Sequence, residues 1–143
     1  MPAEAQWEYA CRGPGELQNE PRYGPLDQVT WYGENSDGQT HDVRQKAANG
    51  YGLYDMLGNV YEWCKDHAYQ RFDSKPQTDP LYEQKESEQS DSLSSRVIRG
   101  GGWSSSARYI RAAYRRIAAK IAVDSSGTVS DGVREEAGMV VYR

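Results

Sequence analysis

The stretch GLYDMLGNVYEWCKD, residues 52 to 66, constrains this chain more than any other. Its aromatics, two glycines and three acids alternate too tightly for an ordinary strand or helix, so the backbone must turn here. Gly58 lies between Asp55 and Glu62 and lets the main chain reverse, so that carbonyls and carboxylates can point at one place. Hard oxygen donors of this kind suit calcium, which accepts about 6 to 8 oxygens, main-chain carbonyls included. Read from the residues alone, a Gly-Asn turn whose acids face water is the favoured alternative.

The rest of the chain sets the bounds. With 143 residues, 37% of them hydrophobic, it is the size of one domain and can bury a core without help from disulfides or metal. There is no apolar run of about 18 residues and no basic-then-apolar start, so the chain reads as soluble, with no membrane span and no attached signal peptide. Cys11 and Cys64 could pair if their Cα atoms lie within about 7 Å, or could be free buried thiols. Eleven Tyr and four Trp against one Phe favour half-exposed packing and binding surfaces over a dry core.

Local signals predict few regular elements. PAEAQWEYACRG reads as a helix over residues 2 to 12, with Pro2 and Glu4 at its start and Gly13 as its stop. Between Pro14 and Gly50 the chain is punctuated by Gly, Pro, Asn and Asp, and VTWY, residues 29 to 32, is its only strand-like piece. Residues 73 to 95 carry six acids against two lysines and read as an acidic, flexible loop. RVIRGGGW reads as a strand ending in a glycine bend.

Charge is uneven as well. Between Arg96 and Lys120 there are seven Arg or Lys and no acid, although the net charge of the chain is -4. Ile110, Tyr114, Ile117 and Ile121 recur at helical spacing, with Arg108, Arg111 and Arg115 on another face. A solvated basic face accounts for this. Nucleic acid is disfavoured as a partner, because the chain is acidic overall and no recognition motif accompanies the arginines.

Three blocks carry a resemblance: PAEAQWEYACRG, NGYGLYDMLGNVYEWCKD and RVIRGGGWSSSARYIRAAYRR. In the same order they resemble the L-P-T-E-A-E-W-E-Y-A, G-L-Y-D-M-x-G-N-V-W-E-W and R-V-x-R-G-G-S-W patterns of the formylglycine-generating-enzyme (sulfatase-modifying factor) family. The resemblance implies an α+β, C-type-lectin-like fold, low in regular secondary structure, with a small twisted antiparallel sheet and long loops. The blocks span Met1 to about Arg116, and the expectation is one domain over 1–143, in a minimal or N-terminally trimmed version. It also implies a structural calcium ion on the Asp55 and Glu62 side chains and the Gly58 and Val60 carbonyls, and an extended R-x-A-x-R strand up to Arg115 in place of the helix.

The departures decide the functional expectation. Active members of the family hold copper(I) on two cysteine thiolates, and the matching positions here are Ser105 and Ile110, neither of which can bind it in that way. Related sulfoxide synthases place iron on histidines of an added domain, whereas this chain has only His41 and His67. The expectation is therefore no copper, no enzyme, and a non-catalytic module for a protein or small-molecule ligand. Such a module is similar to the variable proteins of diversity-generating retroelements, displayed on a virion or cell surface. The candidate contacts are Trp103, Ser104, Ser106, Arg108, Tyr109, Arg111 and Tyr114, within a surface running from Trp103 to Arg143. On the competing account Trp103 and Tyr114 are core and the arginines pair with acids such as Asp91 or Glu135. A metal-dependent oxidase of altered chemistry and an accessory domain of a larger assembly are the alternatives.

Overall fold

The first block forms α1, Glu4–Arg12, in the computed structural model, which describes residues 1–15, 19–67, 78, 80, 81 and 95–119. The Gln6 side chain accepts the Ala3 N–H at 3.1 Å, and the Trp7 N–H closes the first turn on the Ala3 carbonyl at 2.9 Å. Gly13 ends the helix with φ of 76°, a conformation that costs a glycine nothing. Glu4, Trp7 and Cys11, three and four residues apart, form the buried face.

VTWY is not a strand. Val29 closes a single-turn helix, α2 (Leu26–Val29), and Thr30 follows in extended conformation. The polar groups of this segment are engaged by the turn that follows Asp55. Thr30 Oγ1 donates to the Leu57 carbonyl at 2.6 Å, and the Trp31 carbonyl accepts the Asn59 N–H at 2.7 Å. Gly58 sits beneath this crossing with φ of 73°, and a Cβ there would lie 1.8 Å from Thr30 Oγ1. No residue but glycine fits.

The sheet is antiparallel in the order β1-β2-β3, from β1 (Glu62–His67), β2 (Ser95–Arg99) and β3 (Arg116–Ala119). Glu62 faces Arg99 and Trp63 faces Ile98, with an irregularity before His67 pairs with Arg96. Val97 faces Ile117, and Ile98 faces Arg116. β2 ends in the expected glycine bend, with Gly100 and Gly101 both at positive φ. The acidic segment 73–95 lies outside the described residues, apart from 78, 80, 81 and 95.

The helix suggested by the isoleucine spacing is absent. Ala107–Tyr109 form one 3-10 turn, residues 111–113 turn again, and the chain enters β3 at Arg116. The extended run expected up to Arg115 therefore begins just beyond it. The cause is a clamp from elsewhere in the chain. Arg22 Nε donates to the Ile110 carbonyl at 2.7 Å and its Nη2 to the Ala107 carbonyl at 2.9 Å, while the Ala112 N–H donates to the Pro21 carbonyl at 2.8 Å. These groups would have to serve the ladder of a helix. Ile110 is buried, Ile117 is exposed, and Ile121 lies outside the described residues.

Trp7, Cys11, Leu57, Cys64, Val97 and Ile110 belong to one core between α1, the sheet and the loops. Cys11 and Cys64 are both buried and free, not paired. Burial pushes each thiol up to about 12, because a thiolate would lose its hydration there. The outcome is the α+β arrangement that the resemblance implied: a small antiparallel sheet, few helices and long loops held by hydrogen bonds.

Candidate binding site

Residues 102 to 112 leave the glycine bend and run along the surface as a wall whose backbone is bonded to other parts of the chain. The Trp103 N–H donates to the Asn59 carbonyl at 2.8 Å, Ser36 Oγ donates to the Trp103 carbonyl at 2.9 Å, and the Gly33 N–H donates to the Ser105 carbonyl at 2.9 Å. The Arg22 and Pro21 contacts fix the far end. Buried hydrogen bonds of this kind contribute about 1 kcal/mol each, so the wall is ordered although it contains only one turn of helix.

In front of the wall opens a pocket of ≈ 710 Å³ lined by Tyr61, Ser104, Ser105, Ser106, Arg108, Tyr109, Tyr114 and Arg116. Five of the seven candidate contacts therefore meet there: Ser104, Ser106, Arg108, Tyr109 and Tyr114. Trp103 is half-buried and Arg111 is exposed, and neither lines the pocket. The Tyr109 and Tyr114 rings pack at 4.9 Å between centroids, tilted by 40°. The Arg108 guanidinium lies over the Tyr109 ring at 4.4 Å and that of Arg116 over the Tyr61 ring at 5.7 Å. Burial, then the neighbouring Tyr61, hold the Tyr114 hydroxyl above the usual phenol range.

Sequence reasoning missed Tyr61 and Arg116. Tyr61 arrives from the turn before β1, more than 40 positions from the wall. Arg116 carries a detectable signal, since in an extended chain it shares a face with Tyr114, two residues earlier.

The positions that the resemblance assigns to copper hold structural groups. Ser105 Oγ accepts the Gly102 N–H at 3.0 Å and shares a hydrogen bond with the Tyr61 hydroxyl at 3.0 Å, while Ile110 is core. Neither side chain supplies the soft thiolate that copper(I) prefers.

The turn from Asp55 to Glu62 offers different chemistry. Asp55, Gly58 and Asn59 all have positive φ, and the Asn59 side chain holds both the N–H and the carbonyl of His41. Asp55 accepts the Arg44 N–H at 2.8 Å, and Glu62 accepts the Trp7 indole N–H at 3.0 Å. The Gly58 carbonyl accepts the Val60 N–H at 2.7 Å and keeps one lone pair. Burial raises the Glu62 carboxyl, the Trp7 hydrogen bond partly offsets this, and the nearby Asp55 charge raises it further. Among the described residues no three His, Cys, Asp or Glu side chains gather as metal ligands, so a cation at this turn would have to draw on carbonyls as well. Asp55 and Glu62 lie within electrostatic reach of each other, and carboxylate and carbonyl oxygens are the donor type that calcium accepts.

A second group of charges lies on the α1 side. Arg99 is buried and pairs with Glu4 at 3.5 Å and with Glu8, while its Nη1 donates to the Tyr114 carbonyl at 2.8 Å. Arg115 pairs with Glu4 at 3.0 Å. Glu4 is thus a partner of Arg115, while Asp91 and Glu135 lie outside the described residues.

Residues 1–127 match the sulfatase-modifying factor enzyme 1-like domain. The chain belongs to this family. The family domain here is 32% identical over 133 residues to the chaperone protein LppX of Paenibacillus barcinonensis, a match covering 80% of this chain and 41% of that protein. It is 39% identical over 82 residues to the formylglycine-generating enzyme of Mycobacterium tuberculosis, covering 48% of this chain and 27% of that one. Among solved structures, Treponema denticola variable protein 1 superposes with a TM-score of 0.68 at 34% identity, over 91% of this chain and 43% of that one. The chain spans less than half the length of each of these relatives. Among its described residues no helix is long and apolar enough to cross a membrane.

Proposed function

We propose that this domain is a non-catalytic binding module whose ligand, a protein segment or a small molecule, enters the pocket between Tyr61 and the 103–116 wall. We further propose that it serves as the variable protein of a diversity-generating retroelement. The observation that carries the reading is the contrast within the wall. The two positions where a formylglycine-generating enzyme needs thiolates hold a hydrogen-bonded serine and a core isoleucine, while the residues between and around them present tyrosines, serines and arginine to an open pocket. Rigid aromatics with adaptable hydroxyls are the composition of a binding surface. The similarity to Treponema denticola variable protein 1 supports the assignment. Calcium at Asp55, Gly58, Val60 and Glu62 has a structural role in this reading, fixing the turn that delivers Tyr61 to the pocket.

The test has two arms. Supplied with copper(I) and a cysteine-containing sulfatase peptide, the protein is expected to consume dioxygen no faster than buffer; turnover would revive the oxidase reading. A ligand selected from peptide and glycan arrays is expected to lose capture when Arg108 and Tyr109 are both replaced by alanine. Undiminished capture by the folded double variant would move the site elsewhere.

A further inference from the structure

Two hydroxyl-bearing residues differ from the rest of the pocket lining. Ser104, Ser106 and Arg108 are exposed, whereas Tyr61 and Ser105 are buried, at 7% and 8% exposure, and still line the pocket. A hydroxyl owns one proton and accepts through its oxygen. Ser105 Oγ accepts the Gly102 N–H at 3.0 Å, and one hydrogen bond of 3.0 Å joins it to the Tyr61 hydroxyl, in which either oxygen can be the donor. If Tyr61 donates, the Ser105 proton is left over; if Ser105 donates, the Tyr61 proton is left over. The pair therefore always holds one proton in excess. Neither hydroxyl makes a further hydrogen bond with the described residues that could take it. A donor held this deep is costly to leave unmet, so an occupant of the pocket that brings an acceptor is favoured over one that does not.

We propose that Tyr61 and Ser105 form a single-donor anchor, and that the pocket takes ligands in which a neutral carbonyl oxygen accepts the spare proton while an adjoining flat apolar group lies against Tyr109 and Tyr114. This rests on the reading of the pocket as the binding site and names the chemical class of its ligand. A carbonyl suits the pair because it accepts and cannot donate. The Tyr109 and Tyr114 rings, 4.9 Å apart between centroids, supply the apolar surface on the same lining. Wall and anchor then divide recognition. The exposed side chains discriminate among ligands, and the buried pair makes one demand of all of them, an acceptor oxygen.

Acetophenone and ethylbenzene, which differ by a carbonyl in place of a methylene, are titrated into the isotope-labelled full chain, and amide chemical shifts are followed. Acetophenone is expected to shift Tyr61, Gly102 and residues 104–109 with an affinity at least about tenfold above that of ethylbenzene. The preference persists at high salt, since neither probe is charged. Tyr61→Phe leaves the Ser105 proton and Ser105→Cys leaves the Tyr61 proton, so each single variant retains a donor and with it most of the preference. The cysteine sulfur still accepts the Gly102 N–H weakly, but its S–H is a poor donor, so the double variant loses the preference. This non-additivity is not expected if the two residues only support the wall. Equal binding of ethylbenzene, loss of the preference in either single variant or its survival in the double variant would overturn the anchor and leave the pocket as a binding site. Absence of shifts from both probes, or shifts that map away from the pocket, would overturn both readings.

Discussion

Two sets of arginines lie within 21 residues of each other and work in opposite ways. Arg99 and Arg115 point toward α1, where Glu4 and Glu8 pair with them, Arg99 and Glu4 buried and Arg115 and Glu8 partly exposed. Arg108 and Arg116 point into the pocket and rest on tyrosine rings. The basic stretch is a single feature in sequence and two groups in space, one in ion pairs against α1 and one lining the pocket. What separates them is the face they reach: Glu4 and Glu8 on α1 for the first pair, the Tyr109 and Tyr61 rings of the pocket for the second.

The comparison is broken most sharply at Arg99. Its replacement by alanine removes the buried guanidinium between Glu4 and Glu8, which keep only the partly exposed Arg115 and Arg12, and stability to denaturant is expected to fall by on the order of 3 kcal/mol. A loss below about 1 kcal/mol would mean that the α1 cluster is no more structural than the pocket.

Calcium gives the next effect. Its binding at the Asp55–Glu62 turn should stabilise the fold by about 2.7 kcal/mol at a hundredfold excess over Kd, and chelation should lower the melting temperature. Asp55→Ala should abolish this response. An unfolding curve indifferent to both calcium and EDTA would leave the turn held by the Thr30, Trp31 and Asn59 hydrogen bonds alone.

In the pocket the prediction reverses. The Arg108→Ala, Tyr109→Ala double variant should change stability by no more than about 0.5 kcal/mol while losing ligand capture, since neither side chain is buried in the core. A large destabilisation would move these residues to the scaffold side of the comparison.

The smallest effect concerns the thiols. With both held near 12, alkylation of Cys11 and Cys64 at mildly alkaline pH should proceed only through opening of the fold. The pocket double variant should leave that rate unchanged, and Arg99→Ala should raise it. The same shift gives stability a sign with pH. Above the ordinary thiol range, about 8.5, the unfolded chain releases protons that the native thiols keep, so stability falls as pH rises further. A flat profile across that range would show that the two thiols are not buried as described.

The features legible in the sequence were those written locally. α1 is announced by its glycine stop and buried spacing, β2 by its β-branched pair and glycine bend, and the turn at Gly58 by the only residue that fits beneath Thr30. VTWY misled because β-branched and aromatic residues also suit a buried loop whose polar groups bond to a distant turn. The isoleucine spacing misled because Pro21 and Arg22, about 90 positions away, take the backbone groups that a helix at 107–112 would need. Half of the pocket was visible as a run of serine, arginine and tyrosine. Tyr61 was not, since its arrival there depends on the register of the sheet, which no single stretch encodes.

The clamp on the wall separates shape from chemistry. Among the described residues, Pro21, Arg22, Gly33, Ser36 and Asn59, none of which belongs to the wall, hydrogen-bond the backbone of residues 103 to 112 from outside. The side chains of Ser104, Ser106, Arg108 and Arg111 are exposed, and the hydrogen bonds just named are made by the backbone of the wall. One short stretch of coding sequence can therefore be rewritten at these positions, and the surface it presents can acquire a new affinity, while the fold is inherited unchanged from codons far upstream.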